Sequence, residues 1–493
     1  MQTFHGNRLV LATSRFHLPC MSAASANNPA NPWSVLSDVA RRSQRYLASL
    51  VERSVVPTAE ALAGLAAFDG PLQDAPISPE ALIEELDRVA SPATVAIAGP
   101  RYFGFVNSGA LPAVLAANWL STSWEQHGGF QVASPGSTLL ERVAMRWIVE
   151  LLGLPHDSQG GFVTGTTAAH IASLAAARDG LLERVGWNAR VDGMVGAPPI
   201  TVVVGAETHS TLFKALGVVG LGRGRVLRVP VDSQGRMRAD ALPRLTGPTI
   251  VCLQAGNVNT GAFDPFREII TAVRQTDAAV WVHVDGAFGL WARVAPERAY
   301  LVEGVELADS WATDAHKWLN SPYDCGIAIV RDGEALRKSL GITADYLPGG
   351  HVNGMDYTLE GSRRPRGVDA WAALRSLGRH GLADLVERNC RQAKRFADAF
   401  SVAGLRVLND VVLNQVLVTF GDDARTRKVI AAIQEEGTCW CGVTIWQGVT
   451  AMRVSVISWA TTDDDVDRSV EAILRVARQV TFAPGATSST GHR

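Results

Sequence analysis

The stretch WVHVDGAFG, Trp281–Gly289, ends an apolar strand on an acid. A carboxylate in such a place is costly to bury unless a cation or hydrogen-bond donors meet it. Apolar strands of the same kind lie along the middle third of the chain: GGFVT, ITVVVGA, RVLRVP, TIVCLQA, AVWVHVDG and GIAIVR, with helical stretches between several of them. This alternation predicts an α/β fold with a mostly parallel sheet covered on both faces. Asp285 then closes a buried strand, where the N–H of a protonated pyridine ring would satisfy it. Such a pair keeps the ring an electron sink, which is the property of pyridoxal phosphate. Ala287 is small enough for a flat ring to rest against. The plainer alternative is an aspartate capping the next loop.

Three further segments point the same way. In GGFVTGTTAAHIASLAAARD a strand runs into Gly165, Thr166 and Thr167, and a helix begins there. Free backbone N–H groups and two hydroxyls at a helix start suit a phosphate; an N-cap threonine without a ligand is the alternative. In GAETHSTLFKALGVVG, His209 follows a strand and opens a helix. An imidazole there can stack on a ring and move protons near neutral pH. In SWATDAHKWLN, Ser310–Asn320, Lys317 stands among few other charges. A lysine that can lose its proton forms an imine with an aldehyde. With an acid for a ring nitrogen and a phosphate cradle already present, Lys317 is expected to hold an aldehyde cofactor, with His316 beside it on the phosphate or the substrate.

The 493 residues carry a formal net charge of −2, with 47% hydrophobic and 19% charged residues. This is globular composition with ample core and no bias toward nucleic acid or an anionic membrane. No run of about 18 apolar residues occurs, so no membrane span is expected. Six scattered cysteines read as reduced thiols of a cytoplasmic protein. The pair in CWC, Cys439 and Cys441, reads as packing, because one close pair cannot complete a tetrahedral metal site. Residues 1–30 are expected to be a disordered extension, with Met21 a candidate start. A helical segment over 31–105, a large cofactor domain over 106–346, a small α+β domain over 347–483 and a mobile tail over 484–493 complete the expected organisation.

Taken together and in order, HVDGAFG, DAHKWLNSPYDCG, RYFGFVNSGALP, QAGNVNTGAFDP and SRRPRGVDAWAALRSLGRHGL resemble the group II pyridoxal-phosphate-dependent amino-acid decarboxylases, relatives of aromatic-L-amino-acid decarboxylase, over roughly residues 76–478. The resemblance implies a fold-type I (aspartate aminotransferase-like) homodimer, with a seven-stranded sheet in the large domain and an N-terminal helical segment wrapped on the partner. It implies that Lys317 carries the cofactor, Asp285 pairs with the ring nitrogen, His209 stacks on the ring, and Thr166 and Thr167 bind phosphate with His316. Phe105, Asn107 and Ser108 match the stretch that lines the substrate pocket. Tyr357 is the candidate for the acid that protonates the carbanion. The chain departs from the family at GTT, where a glycine-serine turn is usual, and at QAGNV, which would turn Gln254 and Asn257 to the cofactor. The implied reaction is decarboxylation of an L-amino acid, with aromatic ones among the candidates. An aminotransferase with Arg453 on the substrate carboxylate, or another carbon–carbon lyase or aldehyde synthase, would use the same cofactor.

Overall fold

The computed structural model describes residues 33–342 and 353–480. The expected extension over 1–30, the start at Met21 and the tail over 484–493 lie outside the described residues.

Two units separate. The first comprises the chain up to Ala48 together with Ala59–Ala93. Its helices are Ser34–Ser49, Ala59–Gly64 and Pro79–Glu85. The last has Pro79 at its first position and the Ser78 hydroxyl accepting from Ala81 N at 3.2 Å, a start that suits both residues. Arg42 donates to both Asp38 and Asp87, tying this unit together. Residues 49–58 and 94–105, expected in the helical segment, belong to the second unit.

The second unit holds two sheets. Its strands are Gln159–Val163 (β1), Thr201–Gly205 (β2), Leu227–Val229 (β3), Thr249–Gln254 (β4), Val280–Asp285 (β5), Ser310–Asp314 (β6), Gly326–Val330 (β7), Arg406–Val407 (β8), Gln415–Thr419 (β9), Gly442–Trp446 (β10) and Val449–Ser455 (β11). The first seven form one sheet in the order β1-β7-β6-β5-β4-β2-β3. Pairings among β3, β2, β4, β5 and β6 are parallel, and β7 runs antiparallel to both β6 and β1. β4, β5, β6 and β7 are buried along their whole length, as a sheet covered on both faces requires.

Strand alternation assigns the faces. On β5, Val280, Val282 and Val284 enter one apolar core with Phe266, Ile269 and Trp311, while Trp281 enters another with Ala172, Ala176 and Leu216. His283 and Asp285 share the Trp281 side by the period of two. Parallel pairing sets Gln254 beside Asp285 and Asp285 beside Ala312. The carboxyl ends of β4, β5 and β6 therefore lie together, the usual place for a ligand in such sheets.

The smaller sheet, β10-β11-β9-β8, is antiparallel throughout. It packs Val416, Val418, Met452 and Val454 against Phe396 and Phe400, and Cys439 and Cys441 are buried in the same core. The long helix Gly367–Val402 is interrupted at Gly378, whose φ of 61° and ψ of −175° suit a residue without Cβ. Helix Asp463–Gln479 opens with a reciprocal cap: Asp465 N donates to the Thr462 hydroxyl, and Thr462 N donates to the Asp465 carboxylate.

Candidate active site

Each functional side chain sits where an element ends. Asp285 and Asp314 close β5 and β6, Thr166 opens helix Thr166–Glu183, and His209 caps helix Ser210–Val218. Lys317 follows β6 by three residues. These ends surround a cavity of about 330 Å³ lined by Gly165, Thr166, Thr167, His209, Gln254, Asp285, Ala287, Phe288, Asp314, His316, Lys317 and Tyr323, among others. The structure thus brings together all eight residues assigned to the cofactor from sequence.

Their partners refine the expected roles. Lys317 Nζ lies 3.0 Å from Asp314 Oδ2 and 5.8 Å from the centre of the Phe288 ring. Thr166 donates its hydroxyl to the same Asp314 oxygen at 2.5 Å. That hydroxyl, expected to bind phosphate, is engaged by a side chain the sequence reading overlooked. Thr167 and the N–H groups of the helix start remain for an anion. His316 Nδ1 accepts from Cys325 N at 3.2 Å, and its Nε2 lies 3.6 Å from Asp314 Oδ2. Ala287 N donates to Asp285 Oδ1 at 3.2 Å.

Electrostatics separate the acids from the imidazoles. Burial works to raise the pKa of Asp285, yet His170, His209 and Lys317 outweigh it and hold the carboxyl well below its usual range. Asp314 follows the same pattern, with Lys317 the foremost opposing charge. Burial pushes His209 and His316 down, so both favour the neutral ring. Thr211 N donates to His209 Nδ1 at 3.4 Å and the Thr211 hydroxyl lies 2.7 Å from it, which assigns the ring proton to Nε2.

Of the residues expected at the substrate, Phe105, Asn107 and Ser108, none lines the Lys317 cavity, but two touch residues that do. Ser108 is buried and donates to the carbonyl of His316 at 3.2 Å. Asn107 Oδ1 accepts from the Tyr323 hydroxyl, and Tyr323 packs on His316 with ring centres 4.4 Å apart. Phe105 is 61% exposed and leans on Trp440 at 5.2 Å. Tyr323, six residues after Lys317, is a cavity residue missed from sequence; its place in the NSPYDCG motif was the available signal.

Three expectations shift. The Tyr357 hydroxyl donates to Gln159 Oε1 at 2.6 Å and lines a different cavity with Glu141 and Arg363; the described structure does not bring it to Lys317. Gln254 lines the cavity, but the Asn257 side chain is spent on its own turn, accepting from Asn259 N at 2.9 Å. Arg453 is half-buried, donates to the carbonyl of Val258 at 3.3 Å, and is not among the lining residues.

The residues fit pyridoxal 5′-phosphate. A buried carboxylate held ionised suits a ring N–H, the amine of Lys317 faces the same space, and Thr167 with the start of helix Thr166–Glu183 suits a phosphate. Residues 65–417 match the model of the pyridoxal-dependent decarboxylase conserved domain. The chain is 30% identical to tryptophan decarboxylase 1 of Oryza sativa subsp. japonica over 344 residues, 64% of this chain and 66% of that protein, so the match spans about two thirds of that relative's length. It is 25% identical to aromatic-L-amino-acid decarboxylase of Bacillus atrophaeus over 430 residues, 82% of this chain and 87% of that protein. Among solved structures, Oryza sativa TDC with PLP and tryptamine superposes with a TM-score of 0.84 at 24% identity, covering 92% of this chain and all of that one. The fold is therefore that of fold-type I enzymes, and the chain belongs to the pyridoxal-dependent decarboxylase family of lyases, whose cofactor is pyridoxal 5′-phosphate.

Proposed function

We propose that this protein decarboxylates an L-amino acid with an aromatic side chain, releasing the amine and CO₂. The observation that carries the reading is the single cavity in which Lys317, Asp285 and His209 meet, walled by the rings of Phe288 and Tyr323. The relatives named above act, by their names, on aromatic amino acids. When bound, pyridoxal phosphate supplies a sink for the electrons of the bond broken at Cα. Lys317 supplies the amine that anchors its aldehyde, and Asp285 supplies the negative charge for its ring nitrogen. The start of helix Thr166–Glu183 would hold the phosphate through backbone N–H groups and Thr167. His209 would stack on the ring and, with its proton on Nε2, could return a proton to the substrate carbon. The chain's own contribution is orientation and fixed charge.

A homodimer and a cytoplasmic location belong to the same proposal. No residue of helix Ser34–Ser49 is buried, and Trp33, Leu36, Leu62, Phe68 and Leu72 are exposed; a second copy of this chain is the cover proposed for them. The described cysteines are free and buried, which supports a reducing compartment.

The test is a CO₂-release screen of purified protein with added pyridoxal phosphate. Substrates are the twenty amino acids, L-DOPA, 5-hydroxytryptophan, 2,4-diaminobutyrate and cysteine sulfinate. CO₂ matched by an aromatic amine supports the proposal. Aldehyde with oxygen uptake would point to a synthase, and keto acid without CO₂ to amino-group transfer; either overturns it. Light scattering tests the dimer: a mass near 52.6 kDa, that of one chain, would reject it.

A further inference from the structure

Behind Asp285 runs a buried polar chain that the proposed mechanism does not use. Trp281, His283 and Asp285 alternate on one face of β5, and His170 comes to them from the first turns of helix Thr166–Glu183. Trp281 Nε1 donates to Ser310 Oγ at 2.9 Å. The same oxygen lies 2.8 Å from His283 Nδ1, and His283 Nε2 lies 2.8 Å from His170 Nδ1. His170 Nε2 lies 3.4 Å from Asp285 Oδ2 and has no other hydrogen-bond partner. His170, His283 and Ser310 are all 0% exposed.

The two ends dictate the direction of the protons. An indole N–H can only donate, and an ionised carboxylate can only accept. Each neutral imidazole between them donates with one nitrogen and accepts with the other. One arrangement serves every member. The Ser310 hydroxyl gives to His283 Nδ1, His283 Nε2–H gives to His170 Nδ1, and His170 presents Nε2–H to Asp285. The reverse arrangement would face a nitrogen lone pair to a carboxylate away from water, which is costly. His283 is suited to be a neutral link, since burial pushes its pKa down to about 3. The last contact is long and poorly aligned, so it acts as an N–H dipole and an orienting wall rather than a full hydrogen bond.

We propose that His170 is a positioning residue for Asp285: the chain Trp281–Ser310–His283–His170 keeps a proton on His170 Nε2 facing the carboxylate, and so sets how firmly Asp285 holds the protonated ring nitrogen of the cofactor. The proposal rests on Asp285 being the ring-nitrogen partner. The groups facing this chain are Cys252 on β4, His209 at its helix start and Lys317 after β6; none donates into it.

The experiment compares holoenzymes of the wild type, His170→Leu, His170→Gln, His283→Leu and Asp285→Asn. Cofactor dissociation constants and the pH titration of the bound cofactor's visible absorbance are read alongside kcat and KM. His170→Leu is expected to weaken cofactor binding about tenfold, the scale on which outer partners of a ligand act, and to displace the absorbance titration. The fall in activity is expected in kcat, with KM changed by less than about threefold. Gln, which keeps an N–H, restores most of the loss, and His283→Leu moves the readouts in the same direction from the far end of the chain. With a cofactor analogue carrying carbon in place of the ring nitrogen, wild type and His170→Leu bind alike. A His170→Leu protein matching wild type in affinity and titration, while Asp285→Asn alters both, overturns the relay alone. An Asp285→Asn protein with unchanged affinity and spectrum overturns the assignment of Asp285 beneath it. If His170→Leu does not fold, His283→Leu and His170→Gln carry the same comparison: a wild-type titration in His283→Leu rejects the relay.

Discussion

Lys317 Nζ lies 3.0 Å from Asp314 Oδ2, and the Thr166 hydroxyl reaches the same oxygen. The lysine proposed to bind the cofactor thus has a resident counter-charge three residues back. Lys317→Ala is expected to abolish the visible absorbance of bound cofactor, and turnover with it. It also leaves a carboxylate with 4% side-chain exposure without its ammonium, which costs the apo protein about 3 kcal/mol. Lys317→Ala/Asp314→Asn should recover at least half of that. Urea unfolding of the apo proteins reads the difference, and equal stability of single and double variants would refute the coupling.

His209→Phe keeps a ring over the cofactor and removes the proton. The expected result is retained cofactor with kcat lowered about 100-fold, in the range of one lost general acid. Absorbance and turnover measured on one sample separate the two roles; loss of the cofactor itself would mean that His209 chiefly binds.

Stability should fall on mild acidification. Burial depresses the pKa of His209, His316 and His283, the last to about 3. Unfolded imidazoles take protons from about pH 6.5 downward. The folded ones refuse them until lower pH, so the unfolded state binds more protons and stability rises with pH across this window. His283 alone contributes a loss of about 2 kcal/mol between about pH 6.5 and 5. The depressed carboxyls of Asp285 and Asp314 stay ionised in both states over that range, whereas Asp264, pushed up to about 6 by burial, takes a proton in the folded state and offsets part of the loss. Denaturant midpoints of the apo protein at the two pH values check the sign.

Tyr357→Phe removes the hydroxyl bonded to Gln159. Turnover should stay within about threefold of wild type, because only one neutral hydrogen bond outside the Lys317 cavity is lost. A fall of two orders of magnitude would reinstate Tyr357 as the proton donor expected from its sequence position.

Tyr323→Phe breaks the bond to Asn107. KM should rise about fivefold, the worth of one neutral hydrogen bond, with kcat less affected. Steady-state kinetics on the substrate found in the screen decide it.

The sheet was legible because its strands are apolar runs between helical patterns. β6 was not, although it lies inside the segment that names Lys317. Ser310, Thr313 and Asp314 break its apolar run, yet all five residues are buried, because distant partners satisfy them. Ser310 meets Trp281 and His283, and Asp314 meets Thr166, 148 residues away. The same distance hid His170, whose nearest imidazole lies 113 positions along the chain. Lys317, Asp285, His209 and the GTT turn were readable because each stands at an element end with its own local pattern. The surroundings of Tyr357 were not legible, because its hydroxyl partner Gln159 lies 198 positions away.

Two glycine contacts underlie the cavity. A Cβ on Gly326 would fall 2.3 Å from Gly165 Cα, and one on Gly289 would fall 2.0 Å from the carbonyl oxygen of Ala255. Backbone meets backbone there, and no larger residue can enter without moving the elements that carry Asp285 and Lys317. Tyr323, which lines the same cavity, is by contrast largely open, and its replacement disturbs little of the core. Heritable change is therefore channelled around this cavity: Gly326 and Gly289 admit no larger residue, while Tyr323 has room to differ.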